Sequence, residues 1–424
     1  MNIKISPKPL SGSVRAIPSK SIAHRMLICA SFADKPTVLH LSGTSADIEA
    51  TINCLTTLGA GFSRASEEVT VTQINRGEIP FNPLLDCGES GSTLRFMLPV
   101  AAAVCPQTRF TGHGRLPERP NKPLIDAMRA HGAAFSSELL PLSVSHMANG
   151  GVFEIAGNVS SQYISGILMA APLLQDGAEI VFTTEVESLG YINLTLDALF
   201  SFGVAAEKTA SGYRVAPGSK YKSPGSASVG GDWSNAAFWL VAGALGGGMT
   251  VTDISASSRQ GDRAVVEILS RMGAEITQTE NSVTVLPGAK LAGTEVDCSD
   301  IPDLVPVLSV AAAGAEGTTR FYNASRLRLK ESDRLETTSA MLRSLGAEVN
   351  IIGDELFVTG HRTLSGGCVS SANDHRIAMS AAVASIICSG EVEIENAEAV
   401  NKSYPSFFED FNKLGGASNV IDLR

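Results

Sequence analysis

The sequence predicts a mixed α/β protein of two similar domains. Each would be three repeats of about 70 residues, with buried helices inside and sheets plus amphipathic helices outside, an inside-out α/β barrel. Three observations lead to this reading. Six glycines (Gly59, Gly132, Gly203, Gly273, Gly346 and Gly415) recur at intervals of 69 to 73 residues, each after a short apolar stretch. Around them runs a repeated helix–glycine–strand–turn–strand pattern. Between them lies a second set of helices that are apolar on nearly every side.

The amphipathic unit is clearest in its fourth copy. Asp262 is placed to cap a helix whose apolar positions Val265, Val266, Leu269 and Met272 fall at helical spacing. Gly273 supplies the left-handed residue that ends it. Alternating strands follow at 274–279 and 282–286, joined by a turn at Glu280-Asn281. The same run recurs from Asp333 to Val358, with its turn at Gly353-Asp354. The second helices begin near Ser21, Ser92, Gln162, Ser234, Asp303 and Asp374; the stretch from Ala378 to Ile387 is the most apolar. A helix that is hydrophobic all round belongs in an interior.

At 424 residues and 44% hydrophobic, the chain exceeds one ordinary core, and six units divide into three plus three. The linker-like stretch Lys220-Tyr221-Lys222-Ser223-Pro224-Gly225-Ser226 marks the break. The first domain is expected over residues 14–229 and the second over 1–13 with 230–424. Met1 to Ile5 reads as the start of a strand, with no signal segment, and no apolar run reaches the ~20 residues needed to span a bilayer. Seven scattered cysteines fit reduced thiols in the cytoplasm. A net charge of -10 argues against nucleic acid. No His, Cys or Glu spacing suits a metal, and Gly88 and Gly91 lie too close together for a phosphate-cradling loop.

The polar chemistry precedes the buried helices. Their lead-ins are Pro18-Ser19-Lys20-Ser21, Gly88-Glu89-Ser90-Gly91-Ser92, Ser160-Ser161-Gln162, Gly231-Asp232-Trp233-Ser234, Asp300-Ile301-Pro302-Asp303 and Asn373-Asp374-His375-Arg376. Helix N-termini favour anions. Capping alone accounts for the Ser, Asp and Asn, but not for the Lys, Arg and Gln among them. Further cations sit nearby: Arg25, Arg115, Arg119, Arg328, Lys330, Arg334 and Lys402. Guanidinium forks and ammonium groups drawn from most of the units call for a ligand with several negative charges.

Together these motifs resemble the enolpyruvyl transferases over the full length of the chain, and among them the branch that accepts shikimate 3-phosphate. The resemblance is carried by Ser19-Lys20-Ser21 with Arg25, Ser90-Gly91-Ser92 with Arg95, Glu118-Arg119-Pro120, Ser160-Ser161-Gln162, and Ser188 with Tyr191. It continues through Ile301-Pro302-Asp303, Lys330-Glu331-Ser332-Asp333-Arg334, Asp374-His375-Arg376, and Lys402 before Pro405. It implies transfer of the enolpyruvyl group of phosphoenolpyruvate to the 5-hydroxyl of shikimate 3-phosphate in aromatic amino-acid biosynthesis. The enzyme would be a monomer without cofactor or metal, with its active site in a cleft between the domains. By the same resemblance, Lys20, Ser21, Arg25, Ser160, Ser161, Gln162, Ser188 and Lys330 would hold shikimate 3-phosphate. Gly91, Arg119, Arg334, Arg376 and Lys402 would hold phosphoenolpyruvate, with Lys20 and Gln162 close to both. Asp303 would be the base at the hydroxyl, and Glu331 would shuttle the C3 proton with Lys20 assisting as donor.

Two departures matter. Some relatives carry Asn-Ala-Gly-Thr in place of Glu89-Ser90-Gly91-Ser92, and some carry Asn in place of Arg326, so neither Glu89 nor Arg326 is given a substrate contact. The related transferases acting on UDP-N-acetylglucosamine use a reactive loop cysteine, and the stretch from Gly112 to Asn121 contains none. A non-enzymatic clamp would spread its cations over a broad face rather than at helix starts.

Overall fold

All six periodic glycines adopt positive φ, from 74° at Gly203 to 108° at Gly273. A side chain is strained in that conformation, so glycine there ends each outer helix and turns the chain into the following strand. The computed structural model describes residues 1–147 and 149–421; residues 148 and 422–424, counted in the expected domains, lie outside the described residues. The chain forms two units, Pro18–Val229 and Met1–Ile17 with Gly230–Arg424.

Helices α1 (Lys20–Ser31), α2 (Ala46–Thr57), α3 (Gly91–Val104), α4 (Lys122–Ala130), α5 (Ser161–Ala170) and α6 (Leu189–Ser201) belong to the first unit. The second holds α7 (Trp233–Leu245), α8 (Val265–Arg271), α9 (Val305–Ala313), α10 (Arg334–Ser344), α11 (His375–Ala384) and α12 (Phe407–Lys413). Odd-numbered helices are the apolar set: every residue of α9 and α11 is buried. Even-numbered helices bury one face and expose the other. Trp239 on α7 stacks on Phe407 of α12 with ring centroids 4.9 Å apart, tying an inner helix to an outer one. Among the described residues no helix is long and apolar enough to cross a membrane.

Among the described residues each unit has three sheets, and each sheet starts with one parallel pair and continues antiparallel. In the first unit the parallel pairs are Leu84–Asp86 with Gln107–Thr111, Gly151–Ile155 with Ala178–Phe182, and Ser226–Ser228 with Thr37–His40. In the second they are Glu295–Asp297 with Glu316–Tyr322, Gly367–Ser370 with Val392–Glu395, and Gly12–Arg15 with Met249–Thr252. Four of the pairs flank a buried helix, which is the crossover that parallel strands require. The other two are exchanged. Gly12–Arg15 precedes α1 but pairs with the strand after α7, whereas Ser226–Ser228 precedes α7 but pairs with the strand after α1. The first crossing of the chain therefore falls after Ile17 rather than after residue 13, because Val14 and Arg15 are still held opposite Val251 and Thr252.

One local expectation fails. Asp262 does not cap α8: it lies in a 3-10 turn, Gly261–Ala264, and accepts a hydrogen bond from the Ser234 hydroxyl instead.

Candidate active site

In the Pro18–Val229 unit most of the expected residues lie at the starts of α1, α3 and α5, while Arg119 follows the 3-10 turn Leu116–Glu118 and Ser188 precedes α6. Serines do cap these helices: the hydroxyls of Ser19, Ser90 and Ser160 accept from the backbone N–H groups of Ile22, Thr93 and Gln162. Ser161 opens α5 and is buried, and Ser188, also buried, precedes α6 in a left-handed conformation.

The charged side chains are held by these elements. Lys20 Nζ lies 2.9 Å from Asp47 Oδ2 on α2. Arg25 is buried, donating from Nε to Thr195 Oγ1 at 2.7 Å, from Nη1 to the Ser21 carbonyl at 2.6 Å, and from Nη2 to the Tyr191 carbonyl at 3.0 Å. It also lies over the Phe96 ring, 4.8 Å from its centroid. Burial draws its pKa down to about 10, against the opposing influence of Tyr191 and Cys29. His24 is held neutral, its pKa pushed well down by burial and then by Lys20 and Arg25; its Nδ1 lies 2.7 Å from Thr51 Oγ1.

Arg119 lies against Gly91: a Cβ there would stand 2.5 Å from Nη1 and 2.9 Å from Cζ, so only glycine leaves room for this guanidinium. Arg95 joins three segments. It donates to Asn121 Oδ1 at 3.1 Å, to Gln162 Oε1 at 2.6 Å and to the Pro120 carbonyl at 3.3 Å. Gln162 in turn donates to Ser92 Oγ at 2.9 Å. The expected ligand residues Gly91, Arg119 and Gln162 are thus fixed together through Arg95, which the sequence marked as part of a motif but not as a site residue. Glu89 is turned onto Gly114.

In the other unit the expected residues form one ion cluster. Arg334, the first residue of α10 and 1% exposed, reaches three carboxylates: Asp303 Oδ1 at 2.8 Å, Glu331 Oε2 at 2.7 Å and Asp374 Oδ2 at 2.8 Å. Asp303 also meets Lys330 Nζ at 3.1 Å and Arg376 Nη2 at 3.2 Å. Burial pushes the Asp303 carboxyl up, but Arg376, Lys330 and Arg334 outweigh it and hold the group well below the usual carboxylate range. Burial, with Arg326 and Arg334 near, lowers the Lys330 pKa against the pull of Asp303 and Glu331. Lys402 Nζ donates to the Asn373 carbonyl at 2.5 Å, beside the cap of α11. That cap, Asp374, accepts from Arg376 N at 2.9 Å.

Asp47, Asp374, Ser234 and Asp262 complete these clusters and were not expected as site residues. Asp374 was readable as a helix cap, whereas nothing in the spacing of Asp47 pointed to Lys20. Chemically, the second cluster sets several fixed cations and carboxylates within hydrogen-bond range of one another. That suits anionic reactants that must also exchange protons.

The family model of EPSP synthase (3-phosphoshikimate 1-carboxyvinyltransferase) matches residues 5–411. A Clostridium kluyveri protein named 3-phosphoshikimate 1-carboxyvinyltransferase is 41% identical over 416 residues, 98% of this chain and 97% of its own. A Clostridium perfringens protein of the same name is 42% identical over 415 residues, 97% of this chain and 98% of its own. The solved structure of EPSP synthase from Acinetobacter baumannii superposes with a TM-score of 0.82 at 24% identity, covering 99% of this chain and 100% of that one, a likeness of fold. With matches spanning nearly its whole length, the chain belongs to the EPSP synthase (3-phosphoshikimate 1-carboxyvinyltransferase) family.

Proposed function

We propose that the chain transfers the enolpyruvyl group of phosphoenolpyruvate to the 5-hydroxyl of shikimate 3-phosphate. The products are 5-enolpyruvylshikimate 3-phosphate and inorganic phosphate, on the shikimate route to chorismate and the aromatic amino acids. The observation that carries this reading is the meeting of Lys330, Arg334 and Arg376 on one carboxylate, Asp303. Two phosphates and two carboxylates on the reactants match a set of cations of that kind.

Lys20, Ser21, Arg25, Ser160, Ser161, Gln162, Ser188 and Lys330 hold shikimate 3-phosphate in this reading. Gly91, Arg119, Arg334, Arg376 and Lys402 hold phosphoenolpyruvate. In the addition step the 5-oxygen bonds to C2 and its proton passes to Asp303, while C3 gains a proton from Glu331 with Lys20 assisting. In the elimination step the C2–O bond to phosphate breaks, the departing phosphate takes up the proton that Asp303 received, C3 returns a proton to Glu331 and the double bond re-forms. As it stands, Asp303 is held ionised and weakly basic by three cations. Reactant anions that draw those cations onto themselves raise its proton affinity when the hydroxyl must be deprotonated. The cations also stabilise the departing phosphate. No cofactor enters this scheme. Both ion clusters are completed by one chain, which favours a monomer, and six of the seven free cysteines are buried, as suits the reducing cytoplasm.

The test is phosphate release from phosphoenolpyruvate, measured with shikimate 3-phosphate and separately with UDP-N-acetylglucosamine. Release only with shikimate 3-phosphate is expected; release only with the sugar nucleotide overturns the reading.

A further inference from the structure

Ser234, on the first turn of α7, stands between a cation and a carboxylate. Its hydroxyl accepts from Arg376 Nη2 at 3.0 Å and donates to Asp262 Oδ2. A hydroxyl has one proton. Committing it to Asp262 leaves the oxygen lone pairs to face Arg376, so the carboxylate decides which way the serine points. Asp262 and Ser234 are 2% and 6% exposed, so bulk water does not compete for either group.

The surroundings fix this arrangement. The Gln260 side chain accepts from Trp233 N at 3.0 Å and donates to the Gly231 carbonyl at 2.8 Å, clamping the 3-10 turn of Asp262 onto the start of α7. Asp232 caps that start, accepting from Asn235 N at 2.9 Å. On the far side, Arg376 donates to the Asp303 carboxylate and carbonyl, both at 3.2 Å. Ser234 thus supplies a further point that orients the guanidinium plane. Keeping a carboxylate at position 262 is costly. Burial first, then the charges of Asp303 and Asp232, push its pKa up to about 6, against Arg376 and the Ser234 hydrogen bond. It offsets that cost with no helix cap, since α8 has no side-chain cap bond.

We propose that Asp262 is a positioning residue for the enolpyruvyl transfer: acting through the Ser234 hydroxyl, it holds the Arg376 guanidinium in the orientation that receives the phosphoenolpyruvate anion. The proposal rests on the assignment of Arg376 to phosphoenolpyruvate given above. Asp262 touches no reactant itself. Its effect is therefore confined to one substrate and vanishes when Ser234 can no longer transmit it.

The experiment is steady-state kinetics on wild type, Asp262→Asn, Ser234→Ala, Ser234→Thr and the Asp262→Asn/Ser234→Ala double variant. Wild-type phosphate release with shikimate 3-phosphate comes first; its absence would sink the assigned reaction rather than the relay. Asp262→Asn replaces a charged, acceptor-only group by a neutral amide that can also turn its NH2 toward Ser234, so the hydroxyl proton is no longer committed and KM for phosphoenolpyruvate is expected to rise about tenfold. KM for shikimate 3-phosphate should stay within about twofold, which separates positioning from general disruption. Ser234→Ala should match Asp262→Asn, the double variant should be no worse than the poorer single, and Ser234→Thr, which keeps the hydroxyl, should restore most of the loss. Multiplying effects in the double variant, equal rises in both KM values, or wild-type kinetics in Asp262→Asn would each overturn the proposal. If circular dichroism shows that Asp262→Asn does not fold, the Ser234 pair decides alone: an unchanged phosphoenolpyruvate KM in Ser234→Ala refutes it.

Discussion

Arg334 and Asp374 are joined by two hydrogen bonds, Nε to Oδ2 at 2.8 Å and Nη2 to Oδ1 at 3.2 Å. The carboxylate also caps α11 through Arg376 N and accepts from Ser332 Oγ at 2.9 Å. One buried aspartate therefore fixes the start of α10, the start of α11 and, with them, two arginines assigned to phosphoenolpyruvate. Burial works against its ionised form, but Arg334 first and His375 next hold its pKa below the usual carboxylate range, with Glu331 opposing.

Removing that carboxylate leaves a guanidinium that is 1% exposed with fewer partners. Truncating one member of a buried ion pair costs about 3–5 kcal/mol. Asp374→Ala should sit at the low end of that range, because Asp303 and Glu331 still face Arg334. Urea unfolding followed by far-UV circular dichroism checks this; a loss below about 1 kcal/mol, the scale of an exposed pair, would remove Asp374 from the framework of the site.

Gly91→Ala tests the other unit. The added methyl would come within 2.5 Å of Arg119 Nη1, the far end of a flexible side chain, so the arginine moves and the helix stays. Thermal stability should change little, while KM for phosphoenolpyruvate rises several-fold and that for shikimate 3-phosphate does not. Equal increases in both would mean that Arg119 does not serve phosphoenolpyruvate alone.

The repeat, the buried helices and the two-domain plan were legible because they are written in periodic signals: a positive-φ glycine at a constant interval and helices with no polar face. The exchange of Gly12–Arg15 and Ser226–Ser228 was not, because local pattern identifies a strand but does not name its partner. Among site residues, Lys330, Glu331 and Arg334 announced themselves by clustering in sequence, and the structure brings Lys330 and Arg334 onto Asp303 and Glu331 onto Arg334. Asp262 misled for a physical reason: an aspartate ahead of an amphipathic stretch reads as a cap, and only tertiary packing turns it toward Ser234. Arg95 stood out only as part of a motif, because an arginine buried inside α3 gives no periodic signal of the partners it joins.

Glu331 carries the C3 proton in the proposed scheme while its carboxylate pairs with Arg334 at 2.7 Å. Glu331→Gln keeps the shape and one acceptor oxygen but cannot take up a proton. Substrate binding should persist, and turnover should drop by ~10²-fold or more, the usual contribution of a general acid–base group. Isothermal titration with shikimate 3-phosphate and kcat from phosphate release separate the two effects. Undiminished turnover would take Glu331 out of the proton path.

The pKa of Asp262, about 6, lies above the ~3.9 of an unfolded aspartate, which gives stability a definite pH dependence. Between those values the folded chain holds a proton that the unfolded chain has released. Stability from this group is thus fully present below the unfolded pKa and is lost as pH rises through the folded one. Asp303 runs the opposite way: its depressed pKa contributes stability above the usual carboxylate range, lost only as pH falls through the folded value, outside this window. Asp262→Asn abolishes the titration. The stability difference between variant and wild type should therefore shift in the variant's favour from about pH 4 to about pH 7 and level off beyond, whatever its value at either end. Denaturant midpoints of both proteins across that range measure it. A difference that stays flat, or moves against the variant as pH rises, would mean that Asp262 is ionised in the fold at no cost.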